Sequence, residues 1–159
     1  MTAALPEGGE PFEQLRERVT GHVLPGGTFR VAGHERWLSH EAMQSAEVDV
    51  PVLHPVWILL GGLRGMGLSM DELMNLARPG PADSVLFGET EVEQRVPLCA
   101  DTDYAVAGSV VALSRKQGQR SGTLDIMTVR LEISELATGE LAAVSSQTYL
   151  ITRRANARS

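Results

Sequence analysis

Four long segments with the two-residue alternation of β-strands dominate the second half of the chain. They cover residues 85–96, 104–115, 122–134 and 140–152. Short turns rich in Gly, Asp, Thr and Gln join them, so the pattern predicts an antiparallel meander. Its strands, at about a dozen residues each, are long compared with ordinary strands. Such a sheet needs an apolar cover on at least one face.

The cover of this sheet is predicted to be a helix that follows His54. Pro55 suits the first position of a helix, because the N–H that a proline lacks has no helical partner there. The residues that follow, VWILLGGL, place apolar side chains all around the helix, which is typical of a buried helix. A glycine such as Gly61 weakens a helix by up to about 1 kcal/mol relative to alanine. Its presence indicates that another backbone or a ligand comes close.

The first half of the chain is expected to add short elements to this core. They are a helix at 12–19, a strand at 28–32, a helix at 34–46 and a short helix from the Ser69–Glu72 capping box to Ala77. In the helix at 34–46, Trp37, Leu38 and Met43 lie near one another at helical spacing. His34 and His40 are expected to be solvated, with a catalytic role for His40 as the alternative.

One domain is expected over residues 11–154, with a Gly-, Pro- and Glu-rich tail at 1–10 and a short tail at 155–159. The net charge of −6 argues against a nucleic acid as partner, because duplex binding requires a basic face. The lone Cys99 can form neither an intrachain disulfide nor a cysteine-based zinc site, and no His, Asp and Glu cluster has metal-ligand spacing. With no membrane-spanning segment and no secretory signal in the pattern, we expect a cytoplasmic protein.

Three motifs between about residues 24 and 153 carry a resemblance to a known family. VEQRVPLCADT at 92–102 is similar to a strand followed by a "P-hydrophobic…G-D-T" turn, with Ala100 where glycine is usual. TGEL at 138–141 is similar to the hairpin before the last strand, and VLHP at 52–55 to the start of the central helix. With these motifs the sequence resembles the MaoC-like acyl-thioester dehydratases and hydratases, including the FAS1-type dehydratase domains.

This resemblance implies an α+β hotdog fold, in which a long antiparallel sheet wraps around a central apolar helix. It also implies an acyl thioester of coenzyme A or of a carrier protein as the substrate, with no cofactor. Two hotdog domains would join edge to edge, either as a homodimer or as a heterodimer with another hotdog chain.

The hydratases of this family have a signature of Gly-Asp, then Asn-Pro, then a His five residues after the Asp. The Asp and the His share one catalytic water, which adds to an enoyl thioester or leaves in the reverse reaction. A backbone N–H at the start of the central helix binds the thioester oxygen. In this sequence only Asp49 and His54 are an Asp and a His with that spacing, and the Gly and the Asn are absent.

Because the Gly and the Asn of the signature are absent, this sequence can be aligned with the hydratases in two registers. In the first, residues 52–55 begin the central helix and the Asp/His loop is missing; Pro55 then stands where the hydratases use a glycine N–H. In the second, Asp49 and His54 are the catalytic dyad and the helix begins nearer Gly65. The apolar composition after Pro55 favours the first register, and the Asp–His spacing favours the second.

The resemblance also nominates substrate-binding residues along the central helix. They are Pro55, Val56, Trp57, Gly61 and Arg64. Gly61 would allow a pantetheine arm to approach, and Arg64 would either meet a coenzyme A phosphate or form a salt bridge. No metal ligand is nominated.

Three functions remain open from the sequence. The first is a hydratase or dehydratase that acts through Asp49 and His54. The second is a catalytically silent subunit that shapes the acyl tunnel for an active partner. The third is a thioesterase, for which only Glu47 or Asp49 could supply the carboxylate beside the helix.

Overall fold

A computed structural model describes residues 10–46, 50–120 and 122–154, which contain four helices and five strands. The helices are α1 Phe12–Val19, α2 Gly33–Ala42, α3 Val56–Gly65 and α4 Met70–Asn75. The strands are β1 Gly27–Arg30, β2 Ser84–Gln94, β3 Asp103–Gly118, β4 Gly122–Glu135 and β5 Leu141–Arg153. None of these helices is long and apolar enough to cross a membrane.

The strands form one antiparallel sheet in the order β1-β3-β4-β5-β2. Strands β3, β4 and β5 form the predicted meander, and Gly139 turns the last hairpin with a positive φ of 73°. The prediction that β2 would lie beside β3 is wrong, because β2 pairs with β5 at the far edge. The connection from β2 to β3 is held instead by backbone bonds between Leu53 and Leu98 and between Ala100 and Pro51.

Helix α3 packs across β1, β3, β4 and β5, as the sequence predicts for the cover of the sheet. Its close approach depends on glycines, since a Cβ at Gly61 would lie 2.5 Å from the ring of Phe29. A Cβ at Gly65 would lie 2.6 Å from a methyl group of Val106. The small residues therefore serve helix–sheet packing.

The expectation that α3 is buried on all sides is wrong for one face of the helix. Leu60 is 43% exposed, and Arg64 is exposed one turn later. Trp57 and Ile58 lie on the inward face and are buried. The cause is that the sheet wraps only part of the helix in a single chain.

Helix α2 also departs from the prediction. It ends at Ala42, four residues early, because Met43 closes the helix and Gln44 takes a left-handed φ of 50°. Trp37, Leu38 and Met43 are not buried against the core, since they are between 48% and 55% exposed. The inward position belongs to His40, which is 8% exposed and which we expected to be solvated. At α4 the Ser69–Glu72 capping box is present as predicted.

Candidate functional site

The predicted site residues from His54 to Trp57 lie at the start of α3, beneath α2. Trp57 is 6% exposed and its Nε1 donates to Ser39 Oγ at 3.0 Å. The Nε of Arg36 donates to the carbonyl of Val52 at 2.8 Å. These two bonds fasten α2 across the segment that leads into α3.

The first N–H groups of α3 are bonded within the chain itself. The N–H of Val56 donates to Nδ1 of His54 at 3.1 Å. The N–H of Trp57 donates to the His54 carbonyl at 3.0 Å, and that of Ile58 to the Pro55 carbonyl at 2.9 Å. Pro55 is the N-cap and has no N–H. The half-buried imidazole of His54 therefore caps the end of α3 that carries the positive partial charge.

His40 is the second histidine of the site. Its Nδ1 lies 3.0 Å from Ser45 Oγ, and its ring meets that of His54 edge-on, with 6.3 Å between the centroids. Its Nε2 is buried and has no hydrogen-bond partner among the residues that the structure describes. Buried polar atoms nearly always have a partner, so this nitrogen is available to a water or a ligand.

The two imidazoles differ in what they can do chemically. His54 accepts a hydrogen bond at Nδ1, so its neutral ring carries the proton at Nε2 and can donate it. His40 keeps Nε2 free, and the proton position on its ring depends on Ser45. Within the described ranges, no three His, Cys, Asp or Glu side chains are close enough to hold a metal ion.

Asp49, the predicted partner of His54, lies outside the described residues, as does Glu47. The catalytic dyad and the thioesterase carboxylate therefore remain predictions. The helix register, in contrast, is settled, because α3 begins at Val56 and not near Gly65.

The two predicted substrate contacts further along α3 have structural partners. Gly61 is buried against Phe29, which gives its lack of a side chain a packing reason. Arg64 forms a salt bridge with Glu35 at 3.1 Å, and its guanidinium lies 4.9 Å from the centroid of the Trp57 ring. Of the two roles that the sequence allowed Arg64, the structure contains the salt bridge.

Sequence reasoning gave Ser39 no role, and it held a role for His40 only as the alternative to a solvated side chain. A signal was present, because Gly33 and Ser39 have the spacing of the Gly and the His in the hydratase signature, with His34 in the Asp position. The segment therefore has neither the Asp nor the His of the signature at the corresponding position. Ser39 instead accepts from Trp57 and donates to the Arg36 carbonyl at 2.8 Å, which is a structural role.

No protein-family model matches the sequence, and no curated protein matches it. The chain is similar in structure to the HadBC (3R-hydroxyacyl-ACP dehydratase) complex from Mycobacterium tuberculosis, with a TM-score of 0.61 and 13% identity over 83% of this chain and 96% of that one. It is similar to the ChsH1-ChsH2 complex of the same organism, with a TM-score of 0.61 and 11% identity over 87% of this chain and 86% of that one.

A third similar structure is described as a MaoC-like dehydratase, with a TM-score of 0.66 and 17% identity. The match covers 86% of this chain and 42% of that longer one. Together with the five-stranded antiparallel sheet around α3, these similarities establish the α+β hotdog fold that the sequence motifs predict.

Proposed function

We propose that this chain is an acyl-thioester-binding hotdog subunit of a MaoC-like hydratase or dehydratase, in which it shapes the acyl tunnel while a partner chain of the same fold carries out catalysis. One observation supports a role for this chain without catalysis. The N–H of Val56, at the start of the central helix, is already bonded to His54 at 3.1 Å.

The chemistry explains why this bond matters. When water adds to an enoyl thioester, negative charge develops on the thioester oxygen, and catalysis requires a donor aimed at that oxygen. Pro55 offers no N–H, and the next three residues direct theirs to His54 and Pro55. The start of α3 thus lacks a free backbone donor for an oxyanion.

The proposed acyl-thioester ligand and the proposed partner chain are supported by different observations. The motifs at 92–102 and 138–141 resemble those of acyl-thioester dehydratases and hydratases. Two of the similar structures are complexes of named pairs, HadBC and ChsH1-ChsH2. Association with a different, catalytic chain therefore suits a chain in which the N–H groups at the start of α3 are already bonded.

A hydratase that acts through Asp49 and His54 is the second candidate. It is favoured by the unpartnered Nε2 of His40, since two imidazoles with centroids 6.3 Å apart could hold a water between them. In that case Asp49→Asn would lower turnover roughly 10²–10⁴-fold, the usual loss for a positioned acid or base.

Our first prediction separates the two candidates with His54→Ala. The substitution frees the Val56 N–H, and loss of a helix cap costs about 1 kcal/mol of unfolding free energy. For a silent subunit, hydration of crotonyl-CoA stays at the uncatalysed rate in the wild type and in the variant. Urea denaturation and the absorbance of the enoyl thioester measure the two effects. His22→Ala is the matched control, because His22 is an exposed loop histidine.

Ligand binding is measured separately by thermal unfolding with saturated and enoyl-CoAs. A ligand at 100 times its Kd stabilises the folded state by about 2.7 kcal/mol. If the isolated wild type hydrates crotonyl-CoA, and if the rate falls in both His54→Ala and Asp49→Asn, the second candidate is favoured. A melting temperature that responds to no acyl thioester would contradict the ligand class.

A further inference from the structure

Strand β5 carries a row of polar side chains on the face of the sheet that is turned toward the core. Ser145, Gln147 and Tyr149 follow one another at every second residue, and none of them is more than 1% exposed. Their cross-strand partners on β4 are apolar and fully buried. Burial of polar groups in such surroundings costs free energy unless they are hydrogen-bonded. Each donor and acceptor of this row therefore requires a partner.

The hydrogen bonds within the row run in one direction. Burial raises the pKa of Tyr149 to about 12, so its hydroxyl keeps the proton at neutral pH and donates it to Oε1 of Gln147 at 2.5 Å. This bond orients the amide of Gln147, whose Nε2 donates to Ser145 Oγ at 3.2 Å. The second amide proton of Gln147 and the hydroxyl proton of Ser145 have no acceptor among the described residues. The row thus has more donors than acceptors.

Thr90 of strand β2 adds a hydroxyl group to the row. It lies directly opposite Gln147 in the antiparallel pair, so the two side chains share the inner face. Its Oγ1 is buried and has no hydrogen-bond partner in the described part of the chain. A buried hydroxyl without a partner destabilises the folded chain. This position therefore indicates a group that the described chain does not itself supply.

The inner face of β2 on both sides of Thr90 is uncovered. Phe87 and Val92 lie opposite Tyr149 and Ser145 on this face, and they are 49% and 41% exposed. A change of χ1 at Thr90 exchanges the positions of its methyl and hydroxyl groups without any movement of the backbone. A ligand that lies along this face therefore meets an apolar side chain, a hydroxyl group and a second apolar side chain in turn.

The chemistry of the row restricts the group that can bind beside Thr90. Because the row has unused donors on Gln147, Ser145 and Thr90, its complement is an acceptor oxygen. The cross-strand neighbours of the row on β2 and β4 carry no charge, so a carboxylate would be buried there without a cation, at a high cost. The complement is thus a neutral oxygen. Phe87 and Val92 on either side suit an apolar chain on both sides of that oxygen.

We propose that the inner face of β2 binds an acyl chain that carries a neutral oxygen along its length, and that Thr90 and Gln147 select this oxygen. A keto group matches the row, because its oxygen accepts two hydrogen bonds and has no proton to place. The proposal rests on the proposed function, since it names the acyl group of the thioester that this chain binds.

Affinities of the isolated wild type for matched acyl-CoAs test this selection. The probes are octanoyl-CoA and a series of oxo-octanoyl-CoAs, in which the keto group moves one carbon at a time beyond the third carbon. Isothermal titration calorimetry gives each Kd. We expect one member of the series to bind about tenfold more tightly than octanoyl-CoA. This factor corresponds to about 1.4 kcal/mol, within the net contribution of a hydrogen bond.

Thr90→Val removes the hydroxyl group and keeps the shape of the side chain. We expect this variant to bind octanoyl-CoA as the wild type does and to lose the tenfold preference for the oxo compound. In urea it should be at least as stable as the wild type, because an unpartnered buried hydroxyl is removed and valine is favoured in strands. Thr128→Val is the matched control, since Thr128 is half-buried on the outer face of β4.

Equal affinity for octanoyl-CoA and for every oxo-octanoyl-CoA would overturn the proposal and leave the proposed function intact. A preference that persists in Thr90→Val, or that Thr128→Val also abolishes, would overturn it as well. A Thr90→Val variant that is less stable but keeps the preference would show that the hydroxyl bonds only a structural water. If no acyl-CoA of the set binds, the ligand class of the proposed function fails together with this proposal.

Discussion

Asp125 is a carboxylate with no solvent exposure that joins three parts of the molecule. Arg115 of β3 donates to both of its oxygens, at 2.7 and 3.0 Å, and Arg153 of β5 donates at 2.8 Å. Arg153 also bonds the Ala77 carbonyl after α4 and the carboxylate of Asp83. The end of the sheet and the segment after α4 are thus held by one buried ionic network.

The ionisation of Asp125 follows from these contacts. Burial acts to raise the pKa of its carboxyl, but the hydrogen bonds and charges of Arg115 and Arg153 outweigh burial and hold the pKa below its ordinary value of 3.8. A carboxyl with a depressed pKa in the folded state stabilises the fold above its unfolded pKa. That contribution is lost as the pH falls through the folded pKa.

The second prediction concerns Asp125→Asn. The substitution leaves two arginines beside a neutral amide, and breaking a buried ion pair costs about 3–5 kcal/mol of unfolding free energy at neutral pH. Urea denaturation between pH 7 and pH 3 measures it, and the variant should lose less stability than the wild type on acidification. Asp71→Asn, at an exposed position of α4, is the control. A variant as stable as the wild type at pH 7 would show that the network contributes little.

At the scale of elements, the packing of α3 depends on which glycine faces which side chain. Gly61 faces the rigid ring of Phe29, where a Cβ would lie at 2.5 Å. Gly62 faces the end of Leu131, where a Cβ would lie at 3.1 Å from a terminal methyl group that can move. Two adjacent glycines of one helix therefore have different tolerance for a side chain.

The third prediction compares Gly61→Ala with Gly62→Ala. Both substitutions gain up to about 1 kcal/mol of helix propensity. At Gly61 the clash with Phe29 should outweigh this gain, since overpacking costs about 1–3 kcal/mol. Chemical denaturation should find Gly61→Ala the less stable variant by at least about 1 kcal/mol. Equal stabilities would mean that β1 moves away from α3 at no cost.

Local patterns predicted the type and approximate bounds of most elements, because the alternation of β4 and the Ser69–Glu72 box depend on neighbours in the chain. The same patterns could not place β2 beside β5. The β2–β5 pairing joins residues that are far apart in sequence, and the crossover from β2 to β3 comes with bonds between 51–53 and 98–100. The inward turn of His40 was missed for the same reason, since Trp57 and Val52 fix α2 through side-chain bonds.

At the scale of the whole molecule, the sheet and helix α3 leave some of their apolar side chains exposed to solvent. Leu60 of α3 and Phe87 of β2 are both exposed, at 43% and 49%. In the centre of the sheet, β4 and β5 are each paired on both edges within the one chain. Apolar side chains are therefore left exposed at the β2 edge and on one face of α3, whereas the strands at the centre of the sheet have both edges paired.

The fourth prediction follows from this asymmetry and uses amide hydrogen exchange of the isolated wild type. Amides of β4 and β5 should exchange slowest, because strands on both sides hold their N–H groups. Outward amides of β2 should exchange much faster, because they face solvent. Protection of β2 equal to that of β5 would show that the outer edge of β2 is covered in solution.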